Sequence, residues 1–190
     1  LTGTTLQSKL APPPPGAADG VRAYVAPSWP GRPADLRLDR PRRAIPFPRL
    51  RELEHPRTRG VVLHFFANHE LLALELMALA LLRFPDAPPP LRAGLVGVMR
   101  DEQAHLARYV ERMDAMGVTL GDVPVSAFFW NALARAPTLP ALLTGLSLVF
   151  EQANLDFAAR YANAFAHVGD TATEAVLDQV FEDEIRHVRH

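Results

Sequence analysis

The sequence predicts an all-α protein: a four-helix bundle with a long crossover between its second and third helices, preceded by an extended proline-rich arm. Residues 59–190 contain four long stretches that favour helix and are poor in internal proline. Eleven of the eighteen prolines lie instead in residues 1–58, where they favour extended chain over regular helix. We therefore divide the chain into an arm, 1–58, and a bundle, 59–190.

The arm is basic and the bundle is acidic. Residues 1–58 carry ten Lys or Arg against five Asp or Glu, whereas residues 59–190 carry ten against sixteen. Because opposite charges attract, we expect the arm to lie on the bundle; docking on a nucleic acid or protein partner is the alternative.

The whole chain has a net charge of −1. It contains no cysteine, and this excludes disulfides and thiolate ligands. We expect a cytoplasmic protein that binds neither membranes nor nucleic acid.

The first two helices have recognisable ends. The first begins near Gly60 and stops before Pro85, and it is apolar nearly all round, which predicts a buried helix. The second runs from about Leu91 to Met116, with Gly117 as its C-terminal cap. The connection between them is short, so these two helices should pack side by side.

The last two helices follow a crossover, 118–138, that contains a short helix in SAFFWNALAR. Thr138 is a suitable N-terminal cap for the third helix. Thr171 and Glu174 predict a capping box for the fourth. This helix is still running at His190, so we expect the natural protein to continue beyond it.

The spacing Glu-x-x-His occurs three times, whereas composition alone predicts roughly 0.4 occurrences. Glu102–His105 lies in the second helix and Glu184–His187 in the fourth, and each Glu follows an Asp. Residues three apart share a helix face, so each pair can bind one metal ion. We reject the third pair, Glu52–His55, because it lies in the arm, runs into Pro56 and has no partner Glu at bundle spacing.

Two further glutamates complete a candidate metal site. Glu70 precedes Glu102 by 32 residues, and Glu151 precedes Glu184 by 33. Glu70 and Glu151 lie in apolar helical stretches, where an unpaired carboxylate would be costly or would become neutral. Two divalent cations would neutralise four such carboxylates; the alternative is that these residues face solvent or pair with arginine. The predicted metal ligands are Glu70, Glu102, His105, Glu151, Glu184 and His187.

Within this set, we expect Glu102 and Glu184 to bridge the two metals. Glu70 and Glu151 would be terminal ligands, and each metal would take one histidine. A metal-bound histidine normally donates its other N–H to an acceptor. We therefore expect two crosswise pairs, Asp101 with His187 and Asp183 with His105; exposed helical aspartates are the alternative.

Other residues near the predicted site are assigned weaker roles. Glu75 and Asp156 follow the first- and third-helix ligands by five residues, about 140° around the helix, so they belong to a second shell or a polar seam. His190, one turn beyond the last predicted ligand, is an alternative extra ligand. We expect the remaining candidates to be packing or surface residues, with a redox-active phenol as the alternative for the tyrosines: His64, His69, His167, Tyr109 and Tyr161. The expected apolar lining is Phe65, Phe66, Phe150 and Phe157.

The order Glu…Glu-x-x-His…Glu…Glu-x-x-His resembles that of the ferritin-like di-iron carboxylate proteins, whose bundles share the predicted connectivity. The segments TLQSKLAPPP, HFFANHELLALELM, DEQAH, FEQANLDFAARYA and DEIRHVRH are similar to those of an uncharacterised bacterial ferritin-like family of unknown function. The resemblance covers essentially the whole chain. It implies a ferritin-like fold and a metal pair, but it does not specify a reaction.

The leading hypothesis is a di-iron oxidoreductase that activates O₂ or peroxide to oxidise or hydroxylate an unknown substrate. We expect two metal ions, Fe/Fe first and Fe/Mn or Mn/Mn as alternatives, and an external electron donor, because the sequence has no flavin, nicotinamide or iron–sulfur motif. The other hypotheses are iron storage or a structural metal bundle, peroxide disposal like that of manganese catalase, and hydroxylation of a tRNA base. The catalytic residues are not assigned, and a homodimer is left open.

Overall fold

The computed structural model describes residues 1–19, 26–39 and 43–188, and every regular element in these ranges is helical. The all-α class expected from the sequence is therefore confirmed. A π-helical segment, Leu146–Glu151, joins two of the helices without a break, and short 3-10 turns occur at Ala34–Leu36 and Leu50–Glu52. The helices are α1 Leu6–Leu10, α2 Pro56–Arg83, α3 Pro89–Ala115, α4 Phe128–Leu133, α5 Leu139–Gly145, α6 Gln152–His167 and α7 Thr171–Val188.

Several helix ends differ from those expected. Helix α2 begins at Pro56 because proline fits the first turn, so the helix takes in three residues that we had placed in the arm. Gly117 ends α3 as predicted, with a positive φ of 68°. The capping box predicted for α7 is wrong: Asp170 Oδ1, not Thr171, accepts the hydrogen bond from the Thr173 backbone N–H, at 3.2 Å.

Helix α2 is the central helix of the fold. It is long and apolar enough to cross a membrane by length and composition, but 78% of the apolar stretch is buried inside the protein. Such burial is typical of the core helix of a globular protein. Its closest neighbour is α3, and the connection Phe84–Pro88 makes the two helices antiparallel.

The core consists of two apolar clusters, one towards each end of the long helices. The first includes Leu76, Leu95 and Phe150, and the second includes Leu63, Leu106 and Phe165. On α2 the clusters meet at the level of Glu70, since Leu71 belongs to one cluster and Leu72 to the other. The buried carboxylates therefore lie in a polar layer between two apolar ones.

The arm is anchored by a buried ion-pair network. Arg32 Nη2 lies 2.7 Å from Glu75 Oε2, and Lys9 Nζ lies 3.0 Å from Glu75 Oε1. Arg32 also donates to Asn68 Oδ1 at 3.0 Å, and all four side chains are at least 95% buried. The prediction that the basic arm docks on the bundle is therefore confirmed. Glu75, expected in a second shell or a polar seam, therefore lies in a polar network with the arm.

Further contacts hold the arm along the bundle. Trp130 Nε1 donates to the Ser28 carbonyl at 3.0 Å, and Tyr161 Oη donates to the Pro48 carbonyl at 3.1 Å. The Phe47 ring packs against those of Phe65 and Phe157, which therefore contact the arm rather than lining the predicted site. These contacts explain why a segment with little regular structure is still part of the folded core.

Candidate metal centre

The structure brings all six predicted ligands together between four helical elements. Glu70 comes from α2, Glu102–His105 from α3, Glu151 from the end of the π segment and Glu184–His187 from α7. They form two overlapping groups, in each of which the potential ligand atoms lie within 4.8 Å of one another. The groups, which we call position 1 and position 2, are Glu70, Glu102, His105 and Glu184, and Glu102, Glu151, Glu184 and His187.

Glu102 and Glu184 belong to both positions, whereas each of the other four side chains belongs to one. Position 1 is sealed, because all four of its side chains have a relative exposure of 0%. In position 2, Glu151 is 3% exposed and the His187 side chain is 5% exposed. Among the described residues, no Lys or Arg forms an ion pair with any of the four glutamates.

Each histidine is oriented by an aspartate from the opposite helix. His105 Nε2 lies 3.0 Å from Asp183 Oδ2, and His187 Nε2 lies 3.1 Å from Asp101 Oδ2. These are the two crosswise contacts expected from the sequence. These contacts turn the Nδ1 atoms of both histidines towards Glu184. His187 Nδ1 lies 2.8 Å from Glu184 Oε2, and His105 Nδ1 lies 3.6 Å from Glu184 Oε1.

The π segment presents Glu151 to the centre. A π-helical turn is wider than an α-helical one and is frequent at functional sites. The last residue before Glu151, Phe150, is fully buried, and its ring lies 3.8 Å from that of His69. Burial lowers the pKa of His69 to about 4, so this imidazole stays neutral and packs against the segment.

Asn154 is a buried partner of the ligands that the sequence analysis missed. Its Nδ2 donates to Glu70 Oε1 at 3.1 Å and to Glu184 Oε1 at 2.8 Å. Asp156, assigned to a second shell, is exposed instead, so that assignment is wrong. Asn154 follows Glu151 by three residues, the spacing of the Glu-x-x-His pairs, and that spacing could have identified it.

The donor atoms fit a pair of divalent cations. Six buried atoms of the cluster have no hydrogen-bond partner among the described residues: Glu70 Oε2, both carboxylate oxygens of Glu102, both of Glu151, and His105 Nδ1. Buried polar atoms are nearly always paired, so this cluster of unpaired atoms is one that bound cations would satisfy. Carboxylate and imidazole donors suit iron, manganese and zinc.

The other histidines of the described residues belong to neither ligand group. His64 is buried and its Nε2 accepts from the Gly121 backbone N–H at 2.9 Å, which is a core role. His55 and His167 are exposed, in agreement with the rejection of the Glu52–His55 pair. His190 lies outside the described residues.

One family matches the chain over residues 5–190, and its description is "Protein of unknown function (DUF455)". The chain belongs to this family. No match was found among curated proteins or among solved structures. The description of the DUF455 family names neither a fold nor an activity. The function of this chain is therefore argued from its site.

The electrostatics of the DUF455 centre reflect crowded, buried carboxylates. The pKa values of Glu70 and Glu151 are both raised well above the usual value. Burial is the main cause for each, and the charge of Glu102 is the second. Burial opposes ionisation of Glu102, but the neighbouring imidazoles lower its pKa below the ordinary value. Burial would lower the pKa of His187, but contacts with Glu102 and Glu184 raise it to about 11.

We expect the metal-free DUF455 protein to lose stability as pH rises above about 6.5. The pKa of His187 is higher in the folded state than in the unfolded state. Its contribution to stability is therefore fully present below the unfolded-state pKa and is lost as the pH rises towards about 11. Glu70 and Glu151, whose pKa values are also raised, act in the same direction. The melting temperature of chelator-treated protein should therefore fall as the pH is raised from about 6 to about 9.

The matched variants for this measurement are His187→Gln and His167→Gln. The first removes the imidazole with the raised pKa, so the fall in melting temperature should become smaller. The second removes an exposed imidazole and should leave the pH dependence unchanged. A melting temperature that rises with pH in the wild-type protein would contradict this description of the cluster.

Position 2 is reached by a groove of about 760 Å³ between α3 and the α5–π segment. Glu151, His187 and Asp101 line one end of it, and mostly apolar side chains such as Leu95 and Leu146 line the rest. None of the four side chains of position 1 lines this groove. The two positions therefore differ in their exposure to small molecules.

Proposed function

We propose that the chain is a ferritin-like dimetal carboxylate oxidoreductase that uses an iron pair to activate O₂ or peroxide and oxidise an unassigned substrate. The observation that carries the proposal is the overlap of the two ligand groups: Glu102 and Glu184 belong to both. A shared pair of carboxylates between two His-containing positions is the arrangement of a bridged dimetal site. A single-metal site would not need the second group.

Charge balance supports two cations rather than one. Four buried glutamates carry four negative charges when they are ionised, and two divalent cations balance them. Without cations, the negative charge of the cluster is balanced by bound protons and by two imidazoles, in agreement with the raised pKa values of Glu70 and His187. Buried charges are normally paired or bound to metals, and no Lys or Arg among the described residues forms an ion pair with these glutamates.

The connectivity of the long helices supports the ferritin-like part of the proposal. Helices α2 and α3 form one antiparallel pair, and α6 and α7 form another, each with a short connection. Residues 116–138 form the long crossover between the pairs. In bundles of this kind a Glu comes from each of two helices and a Glu-x-x-His pair from each of the others, as in this chain.

The side chains of the protein have distinct roles in this proposal. Asp101 and Asp183 accept the outer N–H of the two histidines and fix Nδ1 as the ligand atom. Asn154 holds Glu70 and Glu184 from the inside of the bundle. The metal pair would supply one-electron redox chemistry and a binding position for O₂ or peroxide. The apolar clusters on either side would limit the access of water to the centre.

The groove at position 2 is the access route in this proposal. It connects Glu151 and His187 to the surface, whereas position 1 is sealed. Small molecules would therefore meet the centre from the Glu151 side. An external electron donor is required, because the described residues and the sequence supply no second redox group.

The test is metal analysis of aerobically purified protein, followed by anaerobic loading with Fe²⁺ and addition of O₂. We expect two irons per chain, a transient absorption change after O₂ addition, and O₂ consumption that stops when the bound irons are oxidised. Uptake of many more irons than two per chain would support storage instead. A chain that binds two irons without reacting with O₂ or peroxide would indicate a structural metal bundle.

A further inference from the structure

The hydroxyl group of Tyr109 is buried without a partner. Tyr109 lies on α3 one turn after His105, has a relative exposure of 0%, and its Oη has no hydrogen-bond partner among the described residues. A buried hydroxyl in this state has lost its hydrogen bonds to water and gained nothing in return. A second unpaired atom, Glu70 Oε2, lies on the neighbouring helix α2.

The geometry of the two helices directs these groups towards each other. The Tyr109 ring lies 5.8 Å from that of Phe66, which is one turn before Glu70 on α2. Side chains on a helix tilt towards its N-terminus. Because α2 and α3 are antiparallel, Glu70 tilts towards the level of Tyr109, and Tyr109 tilts towards the level of Glu70 and His105.

The chemistry of the two groups is complementary. Burial, followed by the charge of Glu70, raises the pKa of Tyr109 well above its usual value, so the phenol retains a proton that it can donate. The carboxylate of Glu70 has one free oxygen, since Asn154 Nδ2 already donates to Oε1 at 3.1 Å. The chain therefore contains a spare donor and a spare acceptor in the same sealed layer.

We propose that Tyr109 is a positioning residue, whose hydroxyl donates a hydrogen bond to the Glu70 carboxylate when the metal pair is bound. Carboxylates that bind metals are commonly held by such outer donors. The inference rests on the proposed function, since it concerns Glu70 as a metal ligand. The role is proposed for Tyr109 and not for Tyr161, because the Tyr161 hydroxyl already donates to the Pro48 carbonyl at 3.1 Å.

The test compares Tyr109→Phe with Tyr161→Phe, each with and without Mn²⁺, by melting temperature and metal titration. We expect the metal-free Tyr109→Phe chain to melt at or above the wild-type temperature, because the change removes an unpaired hydroxyl. Its manganese-induced rise should be smaller by about 2–4 °C, and its affinity for manganese lower by about fivefold. Tyr161→Phe should lower the metal-free melting temperature and leave the manganese-induced rise unchanged.

An equal manganese-induced rise in Tyr109→Phe and wild type would overturn the role of Tyr109, provided that both bind two ions. A wild-type chain that takes up no manganese pair would overturn the proposed function itself. The tyrosine absorption difference spectrum gives an independent measurement in chains that are otherwise intact. Manganese should shift the tyrosine band in Tyr161→Phe, where Tyr109 remains, and absence of this shift would also overturn the assignment.

Discussion

Replacing Glu102 by alanine is expected to abolish binding of the metal pair. Glu102 contributes to both positions, is fully buried, and has two carboxylate oxygens without hydrogen-bond partners among the described residues. In the proposed centre, its loss would remove a ligand from each metal and one of the four charges that balance them. Glu70→Ala and Glu151→Ala each remove a ligand from one position only, so each should retain binding at the other.

Metal content after reconstitution and desalting, measured by mass spectrometry, checks this expectation. Glu111→Ala is the matched control, because Glu111 is an exposed glutamate on the same helix as Glu102. It should bind two ions per chain, as the wild type does. If Glu102→Ala also retained two ions per chain, the assignment of Glu102 as the shared ligand would be wrong.

Replacing Glu75 by glutamine is expected to destabilise the fold by about 3–5 kcal/mol. Among the described residues, Glu75 is the carboxylate that pairs with both Arg32 and Lys9, and all three side chains are buried. The substitution conserves volume but leaves two buried cations without a counter-charge. Removal of one partner from a buried ion pair is much more costly than removal of an exposed one.

Urea unfolding, monitored by circular dichroism, measures this effect. The matched control is Asp39→Asn, which removes the charge from the pair that Arg37 forms with Asp39 within the same arm. Because the Arg37 side chain is 40% exposed, the control should cost much less stability than Glu75→Gln. Equal costs for the two variants would show that the ion-pair network does not anchor the arm.

The sequence was sufficient to predict the long helices and the residues that converge between them. Helix-forming stretches that end at Pro85 and Gly117 set the bounds of α2 and α3 to within a few residues. The matched spacings of Glu70 and Glu151 to the downstream Glu-x-x-His pairs then selected the converging glutamates. Both signals are local, because helical periodicity fixes which residues share a face.

Asn154 and Asp156 show where local reasoning failed. The assignment of Asp156 considered only acidic side chains, although an amide can also donate to a carboxylate. The π segment Leu146–Glu151 has no clear signal in the sequence, and the packing of its Phe150 against His69 is a tertiary contact. The role of Glu75 was also beyond the sequence, because an arm without helical periodicity gives no register for Arg32 or Lys9.

We expect the chain to hold two metal ions close enough to share carboxylates. Electron paramagnetic resonance of the protein loaded with two Mn²⁺ ions per chain tests it most directly. Two ions bridged by Glu102 and Glu184 at about 3.5–4 Å should give an exchange-coupled spectrum, and Glu102→Ala should lose it. Two ions per chain that retain the hyperfine-split spectrum of isolated Mn²⁺ would contradict a shared-carboxylate centre.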